Sequence, residues 1–130
     1  FVVAMPSVGV STPAAFAAYD EVCSSVHPDG EAAEAAVRAG DLAALCAAMG
    51  NALEECSGAK ETPHIKELLR QNGAKQALMT GSGAAVFGVF DDPERAEAAR
   101  AALAKEYRQV YLAAPDKGGA RVLPAPKRRG

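Results

Sequence analysis

The segment Leu78-Met79-Thr80-Gly81-Ser82-Gly83-Ala84-Ala85-Val86-Phe87-Gly88-Val89-Phe90 constrains this chain more than any other. It reads as a strand, a glycine turn and a second strand. Thr80, Val86, Phe87, Val89 and Phe90 favour extended backbone, and Gly81 and Gly83 supply the positive φ angles of a tight reversal. Such a turn lets main-chain N–H groups converge without Cβ atoms in the way, which suits an anion. Taken alone, a Gly-x-Gly between two strands is more often a plain hairpin than a ligand site. Both parities of the second strand are apolar, with Ala85, Phe87 and Val89 on one side and Val86 and Phe90 on the other. A half-exposed antiparallel strand alternates with polar residues, so this one is expected to be covered on both faces. The chain's own helices account for one cover and a further part of a longer protein for the other.

The remaining residues arrange themselves around that hairpin. Phe1-Val2-Val3-Ala4-Met5 is a short apolar strand stopped by Pro6, which cannot donate to a ladder. It begins with no lead-in, as expected of a piece cut from a longer protein. Ser11 or Thr12 caps a helix with Pro13 at its first position, and Phe16, Tyr19 and Cys23 fall on one face of it. His27-Pro28-Asp29-Gly30 turns the chain into a helix from Glu31 to Ala39, ended by Gly40. Asp41 caps the next helix, whose stripe is Leu42, Leu45, Cys46, Met49 and Leu53. Gly50 inside that stripe costs up to ~1 kcal/mol against alanine, so a close neighbour is expected there. Thr62 and Pro63 repeat the cap-plus-proline start, with Ile65, Leu68 and Leu69 facing inward and Gly73 as the stop. After the hairpin, Asp92 and Pro93 open a helix that buries Ala96, Ala99, Leu103 and Tyr107 and leaves Arg95, Glu97 and Arg100 in solvent. Val110–Ala114 is the last strand. The order is βαββαβ with extra helices in the first crossover, which makes one α+β domain over residues 1–115. Its sheet is small and antiparallel, with helices on one side. Residues 116–130 form a Gly/Pro/basic tail, expected to be flexible.

Bulk properties narrow the function classes. A chain of 130 residues, 49% hydrophobic and 23% charged, has the balance of an ordinary globular domain. Net charge −2 offers no electrostatic reason to expect nucleic acid or an anionic membrane as partner. No apolar run approaches the ~20 residues of a spanning helix, so no membrane partner and a cytoplasmic location are expected. Cys23, Cys46 and Cys56 form no CxxC pair, and with only His27 and His64 beside them no metal site is expected. Neither histidine accompanies a nucleophile motif. Glu54-Glu55 reads as a solvated helix end and Asp91-Asp92 as a cap. For phosphate binding, a Walker A loop is excluded because alanines follow Gly81-Ser82-Gly83 and the nearest lysine, Lys75, precedes it. A dinucleotide fingerprint is excluded because the third glycine is missing and a strand follows.

Ala77 through Phe90 resembles the third motif of the GHMP kinases (galactokinase, homoserine, mevalonate and phosphomevalonate kinases). Three further segments are similar to the branch that phosphorylates 4-diphosphocytidyl-2-C-methyl-D-erythritol in the non-mevalonate isoprenoid pathway. Val2–Pro6 followed by Val10-Ser11-Thr12-Pro13-Ala14-Ala15-Phe16 resembles the strand and Thr-Pro-x-x-Phe segment that open the C-terminal half. Gly50-Asn51-Ala52-Leu53-Glu54 resembles the Asn-x-Leu helix. Pro63-x-Ile65 through Leu69 and Gly73-Ala74 resembles the helix before the glycine motif. The resemblance implies a ferredoxin-like fold and a reaction in which the γ-phosphoryl group of ATP passes to a substrate hydroxyl with Mg²⁺ as counter-charge. The family's Gly-Leu-Gly-Ser-Ser-Ala phosphate loop and its catalytic Asp and Lys belong to the N-terminal half. It therefore implies that this chain holds no catalytic residue, is inactive alone, and has the missing N-terminal half as a partner. Pairing with a second copy as a homodimer stays open. Gly81, Ser82 and Gly83 match the turn that supports the nucleotide phosphate loop. Thr12 matches a threonine near the substrate's phosphates and Phe16 an aromatic against the cytosine ring. Thr12 reads first as a helix cap, with ligand contact in addition, and Phe16 reads equally as a core residue. Many relatives carry Pro-Thr or Pro-Ser where this chain has Ala84-Ala85, so no hydroxyl role carries over there. A homoserine- or mevalonate-type GHMP kinase and a non-catalytic ligand- or partner-binding module are the alternatives.

Overall fold

Three aspartates set helix starts in the computed structural model, which describes residues 1–22 and 27–124. Asp29 accepts from Ala32 N, Asp41 from Ala44 N, and Asp92 from Glu94 N and Arg95 N, each satisfying donors that have no partner within their helix. The elements in order are β1 (Val2–Met5), α1 (Thr12–Val22), α2 (Gly30–Ala39), α3 (Leu42–Ala48), α4 (Thr62–Gln71), β2 (Gln76–Met79), β3 (Val86–Val89), α5 (Pro93–Leu103) and β4 (Gln109–Leu112). The sheet runs β2-β3-β1-β4 with every neighbour antiparallel. Val3 stands opposite Phe87 on one side and Tyr111 on the other, and Met79 stands opposite Val86. This is the βαββαβ arrangement expected, with α1–α3 as the extra helices of the first crossover.

The core lies between one sheet face and two helices. Val2, Ala4, Ala77 and Val86 meet Ile65 and Leu69 of α4 and Ala96, Ala99 and Leu103 of α5, with Tyr107 closing the end. Gly88 lets α4 come close, because a Cβ there would meet Leu69 Cδ2 at 2.9 Å and Phe90 Cε2 at 3.0 Å. The opposite face is covered unevenly. Leu78 and Val89 are buried, and Leu42 and Leu45 of α3 line a groove with Val89. Phe87 is half-buried, while Phe1, Met5 and Tyr111 are exposed. Cover on both faces therefore holds only for the β2–β3 side.

Three local expectations change. On α1 the buried residue is Ala15, and Phe16 is 51% exposed; Cys23 lies outside the described residues. The small side chain packs inward and leaves the large ring outside. The stripe through Leu42, Leu45 and Cys46 ends earlier than expected, because Met49 is extended at ψ 139° and residues 52–57 form turns. Leu53 thus lies outside that helix, and Gly50 and Asn51 follow its end. Thr62 does not cap α4. Glu61 takes the cap position with no side-chain cap bond, since its carboxylate accepts from Ser7 N at 2.9 Å, and Thr62 is the first helical residue, buried at 2% exposure.

Gly88→Ala is expected to destabilise the domain by ~1–3 kcal/mol through overpacking against Leu69. Gly9→Ala, whose Cβ meets nothing within 4 Å, should stay within ~0.5 kcal/mol of the parent, both read by urea unfolding.

Candidate functional site

The glycine turn closes on itself before it meets anything else. Thr80 N donates to Ala85 O at 2.8 Å and Gly83 N to Thr80 O at 3.0 Å. Gly81 and Gly83 adopt φ of 56° and 95°, in the region that favours glycine. They differ in surroundings. A Cβ on Gly81 would meet nothing within 4 Å, whereas one on Gly83 would meet Met79 Sδ at 2.8 Å. Gly81 faces open space and Gly83 is packed.

Ser82 Oγ lies 2.7 Å from Thr12 Oγ1, joining the turn to the start of α1 across 70 residues of chain. Thr12 is free for this because Ser11 does the capping: Ala14 N donates to Ser11 Oγ at 3.4 Å and Ala15 N to Ser11 O at 3.0 Å. Phe16 follows Thr12 by four residues and so shares its side of the helix. Four of the positions expected from the sequence, Ser82 with its flanking glycines and Thr12, are thus in one place, with the exposed ring of Phe16 one turn further along. On another side of the turn, a groove of about 420 Å³ is lined by Asp29, Ala33, Asn51, Gly81 and Phe87 among others.

The turn is anchored from behind by residues 51–54. Asn51 Nδ2 donates to Met79 O at 2.7 Å and to Gly81 O at 2.8 Å, while its Oδ1 accepts from Leu53 N at 3.0 Å. Glu54 Oε2 accepts from Met79 N at 2.9 Å, and Oε1 binds Lys66 Nζ of α4. The side chains of Lys66 and Glu54 are only 15% and 18% exposed, so Glu54 is a partly buried anchor and not a solvated helix end. Local pattern did not reveal these roles, since the bonds reach 25 to 30 residues along the chain. Asn51-x-Leu53-Glu54 was visible only as a resemblance.

Residues 32–109 match the family described as GHMP kinases C terminal. The chain belongs to this family. Among its relatives, 4-diphosphocytidyl-2-C-methyl-D-erythritol kinase of Moorella thermoacetica is 41% identical over 116 residues, covering 85% of this chain and 41% of the relative. The protein of the same name from Geobacillus thermodenitrificans is 41% identical over 96 residues, covering 72% and 33%. A solved structure titled 4-(cytidine 5'-diphospho)-2C-methyl-D-erythritol kinase superposes with TM-score 0.67 at 27% identity, covering 85% of this chain and 40% of that one. The chain spans about two fifths or less of the length of these relatives.

Several other chemistry-bearing groups of this GHMP kinase C-terminal domain are engaged with neighbours or buried. His27 is exposed, and His64 Nε2 meets Glu106 Oε2 at 2.7 Å. Burial pushes the Cys46 thiol up, which disfavours the thiolate. Lys75, the lysine nearest the turn in sequence, pairs with Asp91 at 3.1 Å. Hydrogen bonding from Lys75 holds the Asp91 carboxyl below its ordinary value. A depressed folded-state value means that the pair's contribution is present above the unfolded pKa of ~3.9 and is lost as pH falls through the folded one. Among the described residues no group of three or more His, Cys, Asp or Glu is placed to hold a metal ion. No helix among them is long and apolar enough to cross a membrane.

Lys75→Met should raise the Asp91 carboxyl toward the ordinary carboxylate range, followed by carboxyl-carbon NMR titration. At the turn, Gly81→Ala is expected to cost ~1–2 kcal/mol for its φ alone. Gly83→Ala should cost more, because Met79 Sδ must also move; paired urea unfolding curves measure the order.

Proposed function

We propose that this domain is the C-terminal part of an ATP-dependent kinase that phosphorylates a hydroxyl of 4-diphosphocytidyl-2-C-methyl-D-erythritol. The observation that carries the reading is the Thr12–Ser82 contact, which sets two hydroxyls and an open glycine turn beside an exposed aromatic ring. Hydroxyls and main-chain N–H groups suit phosphate oxygens, and Phe16 offers a flat face to a cytosine. The names of the relatives support the same substrate.

Phosphoryl transfer depends chiefly on positioning and charge stabilisation. This domain supplies the first. Thr12 meets the phosphates of the cytidine substrate, the Gly81-Ser82-Gly83 turn supports the phosphates of the nucleotide, and Phe16 orients the base. It offers little of the second: Lys66 and Lys75 are engaged by Glu54 and Asp91, and among the described residues no group of three or more His, Cys, Asp or Glu is placed to hold a metal ion. Most of ATP's charge, with any Mg²⁺ that accompanies it, is left to groups outside this chain.

The full-length protein is expected to transfer phosphate from ATP to the cytidine substrate, and residues 1–130 alone to show no turnover in a coupled ADP-release assay. Transfer by the isolated domain would overturn the division of labour. Phe16→Ala in the full-length protein should raise the KM for the cytidine substrate about tenfold, in line with stacking worth ~1–3 kcal/mol per base, and leave the KM for ATP unchanged. An unchanged KM for the cytidine substrate would favour a homoserine- or mevalonate-type kinase. No transfer by the full-length protein would leave a non-catalytic binding module.

A further inference from the structure

We infer that Asn51 is a positioning residue of the phosphate site, acting through the peptide between Gly81 and Ser82. The inference rests on the kinase reading above and extends it to a residue outside the glycine motif. An asparagine amide has two N–H donors, and both are used here on main-chain oxygens that flank the bend, Met79 O and Gly81 O. Its oxygen is held in turn by Leu53 N at 3.0 Å, so the amide plane cannot swing freely. Two bonds from one rigid planar group fix the separation of the two carbonyls.

Holding the Gly81 carbonyl also fixes a donor. In a trans peptide the C=O and the following N–H point in opposite directions. With Gly81 O turned back to Asn51, the Ser82 N–H points away from Asn51. Among the described residues the Ser82 N–H donates to nothing. Asn51 therefore keeps an unspent main-chain donor aimed outward, next to a Ser82 hydroxyl already located by Thr12. Glu54 and Lys66 hold the same strand end from the side of Met79 N, and Asn51 is the side chain that bonds the Gly81 carbonyl.

The test compares full-length wild-type, Asn51→Asp, Asn51→Ala and Ile65→Val proteins by steady-state kinetics and thermal unfolding. Asn51→Asp keeps the shape and the acceptor for Leu53 N, but sets a carboxylate oxygen against two carbonyls. Asn51→Ala removes the donors without that repulsion and covers the case in which the aspartate variant does not fold. Ile65→Val trims one buried methylene of the core and serves as the stability control. Loss of an aimed donor to a charged ligand should raise the KM for ATP about 10- to 100-fold in Asn51→Asp, and less in Asn51→Ala. The KM for the alcohol substrate should stay within about twofold. Ile65→Val should lower the melting temperature with both KM values unmoved. If the foldable Asn51 variants behave like Ile65→Val, with lower stability and an unchanged KM for ATP, Asn51 is structural only and the inference is overturned. An inactive wild-type protein would instead remove the kinase reading itself, and the inference with it.

Discussion

Strand β2 lies at the edge of the sheet, so main-chain groups near its end have no further strand to bond. Leaving a buried donor or acceptor unpaired costs ~1–3 kcal/mol, enough to unseat a short turn. Here the Met79 N–H, the Met79 carbonyl and the Gly81 carbonyl are all taken by side chains of residues 51–54. The charge that Glu54 brings is matched by Lys66 on α4, and α4 is held to the sheet by Ile65 and Leu69. A line of contacts thus runs from the hydrophobic core to the glycine turn. The same contacts occupy an edge that would otherwise be open to another chain.

The fold was legible where signals were local. Asp41, Asp92 and Gly40 mark helix ends by chemistry confined to a few neighbouring residues, and each acts as read. The apolar periods of α4 and α5 named the core residues, because both helices lie against one continuous sheet face. The misreadings share a cause. Thr62 looked like a cap, but the adjacent Glu61 is drawn to Ser7, 54 residues away. The helix through Leu42 seemed to run on to Leu53, but the segment after Met49 is committed to bonds with β2 and its turn. Phe16 fitted an apolar stripe, yet its ring is exposed and the neighbouring Ala15 is the residue that α1 buries. Local periodicity is silent on interactions that reach across the chain.

The candidate site shows the same limit more sharply. Glycine spacing alone favoured an ordinary hairpin, and physical reading of the residues excluded the familiar phosphate loops without naming another. Family resemblance singled out Thr12 and Phe16 beside Gly81, Ser82 and Gly83, and the fold then brought Thr12 within hydrogen-bond distance of Ser82. Glu54 was read as solvated because two adjacent glutamates resemble a helix end. It is instead partly buried and paired with Lys66 of α4, a partner 12 residues further along the chain.

The Thr12–Ser82 contact has a further consequence. Two touching hydroxyls hold two hydrogens between them, and only one can lie in the bond that joins them. The other rotates freely about its C–O bond. The pair behaves as a relay with a single outgoing hydrogen, and reversing the inner bond moves that hydrogen from α1 to the turn. Whichever side an acceptor approaches decides the direction, and the engaged hydroxyl is polarised by its neighbour at the same time. One arrangement of heavy atoms can therefore present two donor patterns with no movement of the main chain.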